Sequence, residues 1–280
     1  MSQWITLSDG DYAWLAHQAR EQGLSEVELL HEILKAYRQR QEVESLPMRV
    51  AQLEPQAQGR RRGCLAVARE AYLLFACQPV QSARLPKERL MEVASYAARH
   101  PRADRPVGAI MPDLGLPYPV PDGLESSLCK PDRQGQVRFD YWKLAESGFF
   151  LALRTGIERD GKIDMAVLAR DLVEFMLYFY YLARAVCSVS GVEDSHQALF
   201  QMRDVRGKEL FSAQEELGRP YVCSTDGVSV SKNWSGQGLR QHFADEAAAL
   251  LDEFFLCFGG FVVPSDMVGY VMGGMLTVRD

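Results

Sequence analysis

The sequence predicts a mainly α protein: a small N-terminal module of one strand and two helices, then a larger α-rich domain with a few short strands. Three observations predict this fold class. Residues 2–7 alternate apolar and polar side chains, residues 12–37 repeat apolar side chains at helical spacing, and the apolar stretches 165–186 and 243–258 read as long helices. A chain of 280 residues can form both a small domain and a larger one with a full core.

The two N-terminal helices carry their own start and stop signals. Asp9 stands at the start of the first helix, where its negative charge suits the helix dipole. Gly23 ends that helix, as a glycine in the left-handed conformation does. Ser25 caps the second helix, and Glu28, three residues later, completes a capping box. The expected order over residues 1–42 is strand, helix, turn, helix.

This order of elements resembles the ribbon-helix-helix proteins of the MetJ/Arc/CopG type. The resemblance covers residues 1–42 and rests on the alternating strand, the Gly-Leu-Ser turn and the length of the second helix. It implies a homodimer, because a lone strand leaves its backbone groups unpaired until the same strand of a second copy joins it. The implied dimer core consists of Ile5, Leu7, Leu15, Leu30 and Leu34.

The same resemblance implies contacts with double-stranded DNA, because a two-stranded ribbon fits the major groove. The implied DNA-binding residues are outward-facing strand positions, the N-terminus of the second helix and a basic run: Ser2, Trp4, Thr6, Ser25, Arg60, Arg61 and Arg62. The outward strand positions carry no charge, however, and Trp4 cannot form a bidentate base contact. Residues 1–62 hold eight basic and nine acidic side chains. A module that dimerises without contacting DNA, and a plain helical hairpin of a larger domain, therefore stay open as alternatives.

Beyond the module we expect a linker over residues 43–63, which contains the basic run, and an α-rich domain over residues 64–280. Apolar spacing predicts helices over 64–76 and 87–99. Six prolines within 101–123 exclude regular helix and predict a rigid, extended connector.

The second half of the chain mixes two short strands with long helices. Residues 137–142 and 148–154 are expected to form a small antiparallel pair, and Asp164 is expected to cap the long helix to Val186. Short turns are expected over 203–235, a helix over 243–258 and a last helix from Pro264 to about residue 276. Residues 136–280 also resemble the C-terminal region of bacterial DNA-binding proteins of the Schlafen AlbA-2 type. The domain that names that family is not apparent, and no catalytic residue is carried over.

No catalytic or metal-binding motif is visible, so we expect no enzyme activity, no cofactor and no metal. The phosphate-binding loop, the H-E-x-x-H motif and the G-x-S-x-G motif are all missing. The six cysteines lack a C-x-x-C pair and are interpreted as reduced thiols. His196 lies near Asp194, but helix capping by Asp194 or Ser195 is the simpler interpretation. The alternative enzyme site would join distant residues: Asp140, Glu146, Arg154, His196 and Arg203.

Charge and hydropathy limit the classes of function. A net charge of −6 argues against a nucleic-acid-binding surface that spans the whole protein. The apolar run 165–186 contains Arg170, Asp171 and Glu174, so we expect a buried core helix, no membrane partner and a cytoplasmic protein. The sequence therefore predicts a bacterial-type, non-enzymatic, dimeric DNA-binding regulator of transcription with a C-terminal sensing or assembly domain. The alternative is a protein-interaction subunit, antitoxin-like or part of a defence complex, whose N-terminal module only dimerises.

Overall fold

The chain divides into two units, residues 1–44 and residues 45–280. The computed structural model describes residues 9–30, 45–64, 70–81, 83–99, 117–131, 137–191, 194–212, 217–264 and 269. The strand expected at residues 2–7, residues 101–116 of the connector expected over 101–123, and nearly all of the last helix expected after Pro264 lie outside these ranges. The described part of that connector contains a short strand over Tyr118–Val120. Each unit is described by itself below.

Unit 1 is a helical hairpin over its described residues. Helix α1 spans Asp9–Gln22, and α2 begins at residue 26 and is described to residue 30. Gly23 joins them with a φ of +69°, the left-handed conformation that the sequence predicts. The capping box is also confirmed: the Ser25 backbone N–H donates to Glu28 Oε2 at 2.8 Å, and the Glu28 N–H donates to Ser25 Oγ at 3.2 Å.

Unit 2 corrects the predicted fold class, because its centre is an antiparallel sheet of seven strands and not an α-rich core. Its elements are, in chain order, α3 Leu46–Arg62, β1 Tyr72–Pro79, α4 Lys87–Arg99, β2 Tyr118–Val120, β3 Gly123–Pro131, β4 Val137–Ala145, β5 Phe150–Arg154, β6 Glu158–Arg159, β7 Lys162–Asp164, α5 Met165–Ser190, β8 His196–Arg203, β9 Leu210–Phe211, β10 Gly227–Trp234 and α6 Gly236–Phe255. The large sheet has the order β10-β8-β1-β5-β4-β3-β2, and a small sheet has the order β6-β7-β9. The protein is α/β, not mainly α with a ribbon-helix-helix N-terminus.

Strand β1 explains why the sequence predicted a helix where the structure has a strand. Its eight residues are all buried, because α3 covers one face of the sheet and α4, α5 and α6 cover the other. Leu73, Phe75 and Cys77 join the core on the α5 side, whereas Leu74 and Ala76 join the core on the α3 side. A strand buried on both faces is a continuous apolar run, which hydrophobic spacing cannot distinguish from a buried helix. The helix predicted over 64–76 is therefore wrong where β1 replaces it.

Of three further predictions, the structure confirms one and corrects two. The antiparallel pair expected at 137–142 and 148–154 exists as β4 and β5, which are interior strands of the larger sheet. The interval 203–235, expected to hold turns, contains β10, which pairs with β8 over its whole length. The stretch 43–63, expected to be a linker, contains α3, and α3 buries Leu46, Val50 and Ala57.

Helix α5 is the core helix that its internal charges predict. Asp164 caps it by accepting the backbone N–H of Ala166 at 3.1 Å, and Gly191 ends it in the left-handed conformation. Among the described helices, α5 is long and apolar enough to cross a membrane, but most of its apolar stretch is buried inside unit 2. Its charged residue Asp171 is fully buried and forms an ion pair with Arg138 at 3.1 Å. A buried, paired charge belongs to the interior of a folded domain and not to a lipid-facing helix.

Candidate functional site

The sequence predicts that the turn of unit 1 holds a DNA phosphate. The backbone N–H groups of Leu24 and Ser25 in this turn, however, already donate hydrogen bonds to acceptors within the protein. The Ser25 N–H and hydroxyl both donate to Glu28 Oε2, at 2.8 and 2.7 Å. The Leu24 N–H donates to the Ala19 carbonyl at 2.9 Å. An anion at this helix N-terminus would have to displace the Glu28 carboxylate, which already interacts with the positive end of the helix dipole.

Four large side chains are exposed on the same small hairpin: Leu24, which is 38% exposed, and three that are more exposed still. Tyr12, Trp14 and Val27 are 52%, 58% and 77% exposed, although they belong to the residue types that proteins usually cover. The Tyr12 hydroxyl donates to Glu26 Oε2 at 2.7 Å, which fixes α1 against the start of α2. We call Tyr12, Trp14 and Val27 the exposed apolar set. These residues carry no charge that would suit a phosphate backbone, and they suit contact with another protein.

The predicted dimer core is only partly described. Leu15 is buried with Ala19 and Leu29, and Leu30 packs against this cluster from a partly buried position. The other members of that set, Ile5, Leu7 and Leu34, lie outside the described residues. The predicted base-contacting residues Ser2, Trp4 and Thr6 lie outside them as well.

The basic run at the end of α3 is largely used inside unit 2. The Arg60 guanidinium donates to the buried carboxylate of Glu125 at 2.8 Å. The Arg61 guanidinium is itself buried, lies over the Tyr72 ring at 4.3 Å and forms an ion pair with Asp204 at 3.4 Å. Arg62 is the exposed member. Since two of these three charges hold the fold together, the run offers DNA less positive charge than the sequence implies.

The residues of the alternative enzyme site do not assemble into one site. Asp140 and Arg154 do meet, in an ion pair of 2.8 Å. Glu146 forms an ion pair with Lys87 at 3.3 Å, and His196 and Arg203 stand at opposite ends of β8. Arg154 belongs to a network of three basic and three acidic side chains between the sheet and α5, of which Arg170 is about half-exposed and Asp140, Arg154 and Asp171 are buried. Its members are Arg138, Asp140, Arg154, Arg170, Asp171 and Glu174. Such a network joins α5 to the sheet.

A different cluster lies where α5 connects to β8. Cys187 is in the last turn of α5, Asp194 precedes β8, and His196 is the first residue of β8. One ligand atom from each of these residues lies within 4.8 Å of the other two. The helix cap predicted at Asp194 or Ser195 is wrong, because strand β8 follows these residues. The Asp194 carboxylate instead accepts the Gln237 N–H of α6 at 3.0 Å, and Ser235 is the N-cap of that helix. His196, by contrast, is a buried strand residue.

The electrostatics of this cluster oppose formation of a thiolate nucleophile at Cys187. Burial raises the pKa of Cys187 to about 11, and the charge of Asp194 adds to the shift. A nucleophilic cysteine needs a lowered pKa. Burial also lowers the pKa of His196 to about 4, so its imidazole is neutral at pH 7.

No protein-family model matches the chain, and no curated protein or solved structure matches it significantly either. Function must therefore be argued from the residues themselves. The sequence held one signal for the cluster, the spacing Cys-x6-Asp-x-His over residues 187–196. This spacing matches no familiar motif, because the three residues come from the end of α5, the position before β8 and the start of β8.

Proposed function

We propose that this protein is a non-enzymatic interaction subunit whose unit 1 associates with unit 1 of a second copy, so that two copies of unit 2 are held in one assembly. The exposed apolar set on α1 and α2 is the observation that carries this proposal. Large exposed apolar and aromatic side chains on a small helical unit are typical of protein interfaces.

The core that the described part of the hairpin buries is small, which supports the need for a partner. This described part buries Leu15, Ala19 and Leu29 as a cluster. Full burial of a large aliphatic side chain stabilises a fold by about 1.5–3 kcal/mol. Fixing the backbone of each residue costs about 1–2 kcal/mol, so a hairpin with few buried side chains needs further apolar surface to cover.

A second copy is the partner that we propose, because a twofold arrangement brings the same patch of both chains together. Trp14 and Val27 of one copy would then lie at the interface with the same helices of the other. The side chains of Trp14 and Val27 carry no charge, which keeps the desolvation cost of burying them low.

Light scattering after size-exclusion chromatography tests this proposal on the full chain. We expect a dimer mass for the wild type and a monomer mass for the double variant Trp14→Ser, Val27→Ser. The matched control is Leu256→Ser, which removes an equally exposed apolar side chain from unit 2 and should stay dimeric. A monomeric wild type at all concentrations, or a double variant that stays dimeric, would contradict the proposal.

Binding of duplex DNA is the second candidate function, and the exposed Arg62 beside the half-exposed Arg60 is the observation that favours it. Fluorescence anisotropy with a random duplex separates the two functions. Affinity that falls steeply with salt, and that weakens in Arg62→Ala, would favour a DNA-binding regulator, since each phosphate contact releases counterions. An absence of binding at low salt would leave the interaction subunit as the function.

A further inference from the structure

The junction of α5 and β8 gathers three side chains of the types that bind transition metals. Cys187, Asp194 and His196 offer a thiol, a carboxylate and an imidazole, and their ligand atoms lie within 4.8 Å of one another. Cys187 Sγ is 3.8 Å from Asp194 Oδ1. Thiolate, imidazole and carboxylate are the three protein ligand types that zinc accepts.

His196 supplies an independent observation that points to a ligand. Its side chain is 1% exposed, and neither Nδ1 nor Nε2 has a hydrogen-bond partner among the residues that the structure describes. Polar atoms buried without a partner cost free energy, so nearly all of them in native proteins are bonded to protein, water or an ion. The Phe179 ring lies edge-on to the imidazole, with centroids 5.9 Å apart, and offers it no hydrogen bond. A metal ion bound to one ring nitrogen would satisfy that atom.

Asp194 is held in the orientation that a ligand needs. Its Oδ2 accepts the Gln237 N–H at 3.0 Å, while its Oδ1 is turned towards Cys187. The absence of a side chain at Gly236 leaves room for the Asp194 carboxylate, because a Cβ atom at residue 236 would lie 2.9 Å from both carboxylate oxygens. Outer hydrogen bonds of this kind fix the direction of metal ligands in known sites.

We propose that Cys187, Asp194 and His196 form a binding site for one divalent transition-metal ion of the zinc class. Zinc binds sulfur at about 2.3 Å and nitrogen or oxygen at about 2.0–2.2 Å, so tetrahedral ligand atoms lie about 3.3–3.7 Å apart. The Cys187–Asp194 separation of 3.8 Å is already close to this range. The thiol gives its proton to solvent when the metal binds. A sulfur ligand selects against Mg²⁺ and Ca²⁺, which prefer oxygen ligands alone.

Cobalt titration of the chelator-treated full chain tests the proposal with a spectroscopic readout. We expect one equivalent of Co²⁺ per chain, a thiolate-to-cobalt charge-transfer band in the near ultraviolet, and displacement of Co²⁺ by Zn²⁺. Cys187→Ser should abolish the charge-transfer band, and Asp194→Asn and His196→Gln should each weaken zinc binding by more than about 10-fold.

Two control variants separate this site from other cysteine and histidine side chains. His242→Gln removes an exposed histidine of α6, and Cys257→Ser removes one thiol of a second close pair, whose sulfurs are 3.3 Å apart. Both variants should bind Co²⁺ as the wild type does. Loss of the band in Cys257→Ser with its retention in Cys187→Ser would overturn the assignment, as would an apo wild type that binds no cobalt.

Thermal unfolding distinguishes a variant that has lost metal binding from a variant that fails to fold. Zinc should raise the melting temperature of the wild type, because a ligand that binds only the folded state stabilises it. The same addition should leave the melting temperature of Cys187→Ser nearly unchanged, which requires only that this conservative variant folds. An equal increase in both proteins would contradict the proposal.

Discussion

Asp140 and Arg154 lie directly opposite each other on β4 and β5, and Arg154 Nε donates to Asp140 Oδ1 at 2.8 Å. Both side chains are buried, and the same guanidinium also reaches Glu174 of α5 at 2.6 Å. This pair therefore joins two neighbouring strands to the core helix. Burial opposes the charge of Arg154, but its acidic neighbours prevail and hold its pKa well above the usual value.

Replacing Arg154 by Met should lower the free energy of unfolding by about 3–5 kcal/mol, because it leaves several buried carboxylates without their shared cation. Urea unfolding of the full chain measures this loss. The control is Arg170→Met, whose side chain is 44% exposed and whose loss should cost about 1 kcal/mol or less. Equal losses in the two variants would show that the network does not depend on Arg154.

The carboxylate of Glu125 is a second buried centre of hydrogen bonding. It accepts from Arg60 at 2.8 Å, Gln56 at 2.9 Å, Tyr118 at 2.6 Å and Tyr141 at 3.2 Å, and its side chain is fully buried. Glu125→Gln should reduce the free energy of unfolding by about 1.5–3 kcal/mol, since it removes a charged acceptor and puts an amide N–H against other donors.

The matched control for Glu125→Gln is Tyr118→Phe. This change removes one hydroxyl donor from a partly exposed ring and should cost about 0.5–1.5 kcal/mol. Chemical denaturation followed by tryptophan fluorescence compares the two variants. If Tyr118→Phe costs more than Glu125→Gln, the carboxylate is not the centre of this group.

The sequence predicted the features that depend on local chemistry. The Ser25–Glu28 capping box, the left-handed Gly23, the Asp164 cap and the β4–β5 pair each follow from a few neighbouring residues. The seven-stranded sheet could not be predicted in the same way. Strand β1 is apolar on both faces, and its partners β5 and β8 are more than 70 residues away along the chain.

Strand β10 carried a signal that sequence reasoning missed. Val228 and Val230 alternate with Ser229 and Ser231, the period of a strand with one covered face. The signal in the sequence for the candidate metal site was weaker, because isolated Cys, Asp and His residues are identified as possible ligands only once the fold brings them close together. The orphaned ring nitrogens of His196 are visible only once burial is known.

Gly148 provides a test of close packing at the turn between β4 and β5. Its φ is +74°, and a Cβ atom there would lie 3.0 Å from Pro79 Cγ and 3.2 Å from Val186 Cγ1. Gly148→Ala should therefore lower the free energy of unfolding by about 1–2 kcal/mol through backbone strain and by about 1–3 kcal/mol more through overpacking.

Gly161→Ala isolates the backbone part of that cost. Gly161 has a similar φ of +77°, but no atom lies within 4 Å of its added Cβ. Its loss of about 1–2 kcal/mol, measured by the same urea unfolding, should be clearly smaller. Equal costs would mean that Pro79 and Val186 move aside freely.

The cysteines correct the expectation of six reduced thiols. Cys64 and Cys129 are joined by a disulfide that connects the end of α3 to β3, with Cα atoms 6.5 Å apart. Cys77, Cys187, Cys223 and Cys257 are not disulfide-bonded. Thiol titration of the denatured protein should therefore count four thiols before reduction and six after it. A count of six before reduction would exclude this disulfide.

Glu70 should make the stability of unit 2 depend on pH near neutrality. Burial raises its pKa to about 7, and the neighbouring charge of Glu158 adds to the shift. Its Oε2 is buried and has no hydrogen-bond partner within the described part of the chain. Because the folded-state pKa lies above the unfolded value of about 4.3, the folded state holds the proton more tightly. The resulting stabilisation is complete below that unfolded pKa and is lost as the pH rises through about 7.

Comparing Glu70→Gln with the wild type isolates this effect, because His196 contributes a slope of opposite sign at lower pH to both proteins. The free energy of unfolding of the wild type should fall relative to the variant between about pH 5 and pH 8, by on the order of 1 kcal/mol after solvent screening. Urea unfolding at a series of pH values measures the difference, and the exposed Glu88→Gln is the control. A difference that stays constant across the series would mean that Glu70 is ionised in the folded state at every pH above 5, and that the charges of Lys208 and Arg61 outweigh its burial.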